Sequence, residues 1–154
     1  MVITEAYQHI LWEMSLRGGA AINEGNINNT LSFYDFFNVV RPKNLPNYPR
    51  ETFAVQIGAI KLKLMRTKHI PDNSDSWKNY FRSCGLIIDD RILFTSDTRY
   101  DPDLVYDFEK KFHFDNIFHD CQFFTGGVHA SLFEIINFPK AIKKKMFLTH
   151  YGDD

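Results

Sequence analysis

Three side chains able to bind a metal or move a proton stand directly after apolar runs: His69 after an alternating run, Asp97 after Ile-Leu-Phe-Thr-Ser, and His150 after Met-Phe-Leu-Thr. Each run reads as a buried strand. Groups carried on neighbouring strand ends converge at one edge of a sheet, where a rigid scaffold can hold a site. Two imidazoles and a carboxylate are donors that borderline metals such as zinc accept. Singly, each has a plainer reading. His69 can be a surface histidine, Asp97 a cap or turn residue, and His150 an exposed imidazole. Their common topological position is what favours a shared polar site.

A second cluster lies at His119-Asp120-Cys121-Gln122 and Gly126-Gly127-Val128-His129-Ala130-Ser131. The paired glycines permit close backbone approach, and His129 stands at the start of a predicted helix. A histidine so placed could give a proton to a leaving oxygen. The alternatives are that Gly126-Gly127 is a turn and His129 an ordinary first-turn residue. Cys121 reads as a packed thiol, because no basic neighbour lowers its pKa.

The elements that must position these groups follow from periodicity. Val2–Thr4 predicts a short strand, and Ala6–Leu16 a helix that Arg17-Gly18-Gly19 stops. Residues 23–30 and 72–79 are polar loops, and Leu31–Phe37 a helical turn. Alternation from Phe53 to Leu64, broken at Gly58, predicts a hairpin, and Cys84–Ile88 with Ile92–Thr95 flank a second turn at Asp89-Asp90-Arg91. A helix opens at Pro102 and runs to Phe112. Asn116–Phe118 is a strand running out into His119-Asp120. Ser131–Asn137 is a helix, Pro139 starts another, and Met146–Thr149 is the last strand. Strands that meander and then alternate with helices imply an α/β fold, a mixed sheet covered by helices.

The 154 residues suffice for a single domain spanning 1–154, and the 15 phenylalanines for a core. A formal net charge of −1 removes any general basic footprint for nucleic acid. The lysines from Lys140 to Lys145 read as a solvated helix face. Two distant cysteines, Cys84 and Cys121, point to a reducing compartment and buried thiols. No apolar run reaches membrane-spanning length and no signal-peptide order is present, so the expected location is cytoplasmic.

The ordered series His69, Gly85-Leu86-Ile87-Ile88, Ile92 to Thr98, Ile117 to Cys121, Gly127 to Ser131 and Leu148-Thr149-His150 resembles the metallo-β-lactamase superfamily, in its ribonuclease Z-like and cyclic-nucleotide phosphodiesterase branch. The resemblance implies an αββα sandwich and a hydrolase acting on a phosphodiester, a nucleotide or an RNA end. It makes His69 a ligand of one metal, Asp97 a carboxylate bridging two, and His150 a ligand of the second. His119 and Asp120 fall where the branch carries His-Glu, and His129 matches the histidine that assists the leaving group. The implied cofactor is a pair of divalent ions, zinc first and manganese also acceptable, which activate a water and clamp phosphate oxygens.

The superfamily's His-x-His-x-Asp-His loop is absent, since all six histidines are isolated. The chain therefore reads as the C-terminal portion of such a domain, its N-terminal ligand-bearing portion missing, and with so few ligands per metal it is expected to be inactive by itself. A homodimer or a complementing N-terminal segment would then complete the site and cover an exposed sheet edge. Two readings stand beside a hydrolase fragment: a non-catalytic remnant that binds a partner, and an ordinary interaction domain in which the strand-end pattern is coincidence.

Overall fold

The computed structural model describes residues 1–25, 28–71, 73 and 76–151. Parts of the two predicted polar loops, Asn26-Ile27 and Asp72, Ser74 and Asp75, lie outside the described residues. The chain forms two compact units, Met1–Lys43 and Asn44–Asp154.

In the first unit, Thr4 caps α1 (Glu5–Leu11) by accepting from the Tyr7 N–H. A π-helical segment, Trp12–Leu16, leads into α2 (Arg17–Ala20). The helix does not stop at Gly18-Gly19, as the sequence suggested. It continues through both, and the Ala21 N–H still reaches the Arg17 carbonyl at 3.1 Å. Glycine costs a helix about 1 kcal/mol relative to alanine, which tertiary packing can outweigh. Here Trp12 and Ala21 are buried with Ile3 and Phe33, anchoring both sides of the glycines. The expected strand at Val2–Thr4 reduces to one bridge between Val2 and Val40. α3 (Phe33–Phe36) starts at a reciprocal Ser32–Asp35 capping box.

A seven-stranded mixed sheet in sequence order dominates the second unit. Its strands are β1 (Lys43–Asn44), β2 (Thr52–Ile57), β3 (Ile60–Arg66), β4 (Cys84–Ile88), β5 (Ile92–Phe94), β6 (Asn116–Asp120) and β7 (Met146–Thr149). Both predicted hairpins form. Gly58 turns at φ +60°, and Asp89 and Asp90 take the paired positive φ of a tight hairpin. Strands β2 to β5 pair antiparallel, whereas β5–β6 and β6–β7 pair parallel. It follows that β3, β5, β6 and β7 all point the same way, so their C-terminal ends share one edge of the sheet.

α4 (Pro102–Phe112) makes the first parallel crossover, capped by Asp101 with Pro102 in its first turn. Its Leu104, Val105 and Phe108 are fully buried with Ile87, Leu93 and Ile117 of the central strands. Asp101 is itself buried and holds Arg50 at 2.8 Å. The helix expected over Ser131–Asn137 is shorter: α5 is Leu132–Ile135, with Ser131 and Glu134 in a capping box. Asn137 and Phe138 follow in tighter turns, bonding back to the Glu134 and Ile135 carbonyls, before Pro139 and α6 (Lys140–Lys143). His129 therefore precedes a helix cap by two residues and does not open a helix. The fold is α/β, a mixed sheet with few helices. Among the described residues, no helix is long and apolar enough to cross a membrane.

Candidate functional site

The shared strand direction brings the candidate residues together, because each follows, or closes, a strand whose C-terminal end lies at the same edge. Ser96 and His150 both take positive φ, +54° and +68°, so the chain turns sharply where it leaves β5 and β7. Cross-links between the loops fix this edge. The Arg99 N–H donates to the Lys68 carbonyl at 2.6 Å and the Ala130 N–H to the Thr98 carbonyl at 2.9 Å. The Thr98 hydroxyl adds a bond to the Lys68 carbonyl at 3.0 Å.

At the centre stands Asp120, whose side chain is only 1% exposed. Its Oδ2 accepts from the Thr98 N–H at 2.8 Å and from His129 Nδ1 at 2.7 Å. Its Oδ1 accepts from His150 Nδ1 at 3.1 Å. One buried carboxylate thus holds two imidazoles, and a carboxylate on Nδ1–H leaves the lone pair of a neutral ring on Nε2. Asp97, half exposed, approaches His150 Nδ1 at 3.5 Å. Donor atoms of Asp97, His129 and His150 lie within 4.8 Å of one another. His69 packs its ring against His129 with centroids 4.9 Å apart, and the His129 and His150 rings lie at 4.6 Å. The His69 Nδ1–H donates to the Val128 carbonyl at 3.2 Å, which orients this ring also.

Of the residues singled out from sequence, His69, Asp97, Asp120, His129 and His150 are brought to one place. His119 is not. Strand alternation puts it on the core face with Ile117, fully buried, its ring edge-on to Phe138 at 5.8 Å. Its Nδ1–H donates to the Asp120 carbonyl at 2.7 Å, and burial pushes its pKa down, against the opposing pull of that bond and of the Asp120 charge. The donor set otherwise fits a divalent cation: two imidazoles and a carboxylate within reach, backed by a buried carboxylate that orients the rings. Both thiols are free, and burial raises each pKa, so neither Cys84 nor Cys121 offers a ready nucleophile.

Sequence reasoning missed the central place of Asp120 and the role of Gln122. Asp120 closes β6 at the edge where Asp97 and His150 follow β5 and β7, so the same strand-end pattern contained it. Gln122 ties down the following loop, its side-chain amide donating to the Phe124 carbonyl at 3.1 Å and also to that of Gly126.

Comparison with known proteins gives a consistent answer. The family model described as Anti-Pycsar protein Apyc1 matches residues 1–154. An Anti-Pycsar protein Apyc1 of Bacillus phage BSP38 is 36% identical over 146 residues, covering 94% of this chain and 52% of the relative. That of Paenibacillus harenae is 35% identical over 144 residues, covering 93% and 52%. That of Bacillus phage vB_BsuM-Goe3 is 33% identical over 161 residues, covering 100% and 57%. The chain thus spans about half the length of the curated relatives it matches. These matches replace the family expected from the motifs. The resemblance to ribonuclease Z-like metallo-β-lactamases, with the function of a metallo-β-lactamase hydrolase and the non-catalytic alternative attached to it, gives way to the family that the whole chain matches. Short motifs at strand ends report where a polar site lies, and they discriminate poorly between families that place one there.

Proposed function

This chain belongs to the Anti-Pycsar protein Apyc1 family, and we propose that it counters Pycsar defence by acting on a cyclic nucleotide, degrading it at the edge where Asp97, His129 and His150 meet. The observation that supports this reading most is the buried Asp120 carboxylate holding His129 and His150 at 2.7 and 3.1 Å beside the Asp97 carboxylate. A carboxylate buried among two imidazoles orients rings for ligation and proton handling.

Asp97, His129 and His150 would hold a divalent cation, zinc or manganese by donor chemistry, which when bound supplies positive charge for a phosphate and activates water. Asp120 keeps His129 and His150 in one tautomer and orientation. His69, fixed through Val128, extends the imidazole surface beside His129. A second copy or a complementing segment would supply the rest of the pocket wall, in keeping with relatives about twice this length.

The test is to incubate the chain with 3′,5′-cyclic AMP and added manganese or zinc, following binding by calorimetry and the linear monophosphate by chromatography. Conversion by the native sequence is expected, lost at least tenfold in Asp97→Ala and His150→Ala. Conversion indifferent to both substitutions, or neither binding nor conversion with either metal, would overturn the reading. Binding without conversion would instead move it toward sequestration of the nucleotide.

A further inference from the structure

Two aromatic rings beside the cluster belong to no core. Phe123 and Tyr151 are 51% and 49% exposed, and their rings meet at 5.4 Å with an interplanar angle of 37°. Neither is among the residues packed on the hydrophobic core of this unit. Both spring from the segments that deliver the site. Tyr151 follows His150 directly, so their Cα atoms are about 3.8 Å apart. Phe123 follows Gln122, whose N–H donates to the Ala130 carbonyl at 2.8 Å, next to His129, and whose carbonyl accepts from Leu132 at 2.9 Å. Gly126 and Gly127, both at φ +86°, then turn the chain back toward His129. The rings are therefore carried on the segments that continue from Gln122 and His150, paired with each other and open to solvent.

We propose that Phe123 and Tyr151 form a ledge on which the base of the bound nucleotide stacks, so that base and phosphate are recognised by separate parts of one site. The inference rests on the reading of the cluster as a cyclic-nucleotide site. A cyclic nucleotide is flat and weakly polar at one end and anionic at the other. The site offers the matching pair, aromatic faces at one end and cation-binding donors at the other. Stacking on an exposed aromatic ring strengthens nucleotide binding through the π-face of the base and needs no hydrogen-bond donor or acceptor.

The experiment compares the affinity of the full chain for 3′,5′-cyclic AMP, chosen for its large base, with that for 1-O-methylribose 3′,5′-cyclic phosphate, which lacks a base. Calorimetry is run in the presence of manganese. The native chain should bind the base-bearing ligand at least tenfold more tightly. The double variant Phe123→Ala/Tyr151→Ala should erase that difference while leaving the abasic affinity unchanged, and Phe123→Trp/Tyr151→Phe should keep it. Phe133→Ala, which removes a still more exposed ring on α5, should change neither affinity. Equal binding of the two ligands by the native chain would overturn the ledge and leave the phosphate site standing. A double variant that loses both affinities alike, or that changes oligomeric state by light scattering, would assign the rings to a contact between copies. No binding of either ligand would overturn the ledge together with the reading beneath it.

Discussion

At the scale of single residues, the neighbours His119 and Asp120 show how one strand divides its labour. Alternation sends His119 into the core and leaves Asp120 at the strand end, where it meets His129 and His150. Burial lowers the His119 pKa from its ordinary value of 6.5, so the unfolded chain binds a proton at a pH where the folded chain does not. That makes stability rise with pH: the contribution is complete above about pH 6.5 and is lost progressively as pH falls below it. Thermal melts between pH 7 and 5.5 should therefore show a midpoint that drops on acidification, with a slope of up to about 1.4 kcal/mol per pH unit from this group. His119→Phe keeps a ring against Phe138 and removes the proton site. It should melt lower at pH 7 through loss of the bond to the Asp120 carbonyl, yet show a flatter pH dependence. Equal slopes in the two proteins would place the titrating group elsewhere. Asp97, His150 and His69 were legible in the sequence because each polar residue follows an apolar run, a signal that survives without coordinates. The separation of His119 from Asp120 was not, because the face of a strand residue depends on which side the helices cover.

At the scale of elements, the hairpins, the Pro102 helix and the last strand were readable from periodicity and turn residues, since local chemistry decides them. The helix ends were harder. Gly18-Gly19 failed to stop a helix anchored by Trp12 and Ala21, and α5 closed at Ile135, where Asn137 and Phe138 go over to tighter turns that bond back to Glu134 and Ile135. The junction of β4 and β5 carries a requirement that no pattern announces. A Cβ on Gly85 would lie 2.6 Å from the Met65 terminal methyl, 2.7 Å from the Phe94 carbonyl oxygen and 2.9 Å from that of Thr95. The methionine end can swing away, but the two carbonyls belong to the segment that leads into Asp97. Gly85→Ala should thus cost about 1–3 kcal/mol, read as a lower urea midpoint. It should also weaken manganese binding by displacing Asp97. An unchanged midpoint would mean that β4 and β5 part at no expense, contrary to their tight packing.

For the whole molecule, the register of the sheet aligns a row of apolar side chains on the face away from the buried core. Phe53, Leu64, Leu86, Phe94, Phe118 and Phe147 are successive cross-strand neighbours, one on each strand from β2 to β7. Each is at least partly accessible, and Phe147, on the strand at the end of the sheet order, is 52% exposed. Its ring stacks on Phe118 at 5.2 Å and 21°, extending the apolar row to the sheet edge. An accessible apolar row ending on the last strand of the sheet order invites another chain to pair and pack there. The purified chain should accordingly associate with rising concentration in static light scattering. Phe147→Lys, which puts a charge on the edge while removing a half-exposed ring, should shift that association to several-fold higher concentration. Folding stability should change by less than about 1.5 kcal/mol, because the ring's main partner is one stacked neighbour. Association of both proteins at the same concentration would show that contacts form elsewhere, and two monomers throughout would show that the row is tolerated without being adhesive. The first outcome would point to the Phe123–Tyr151 pair, another exposed aromatic contact of this unit, as the meeting surface instead of a nucleotide ledge, so the two experiments constrain each other.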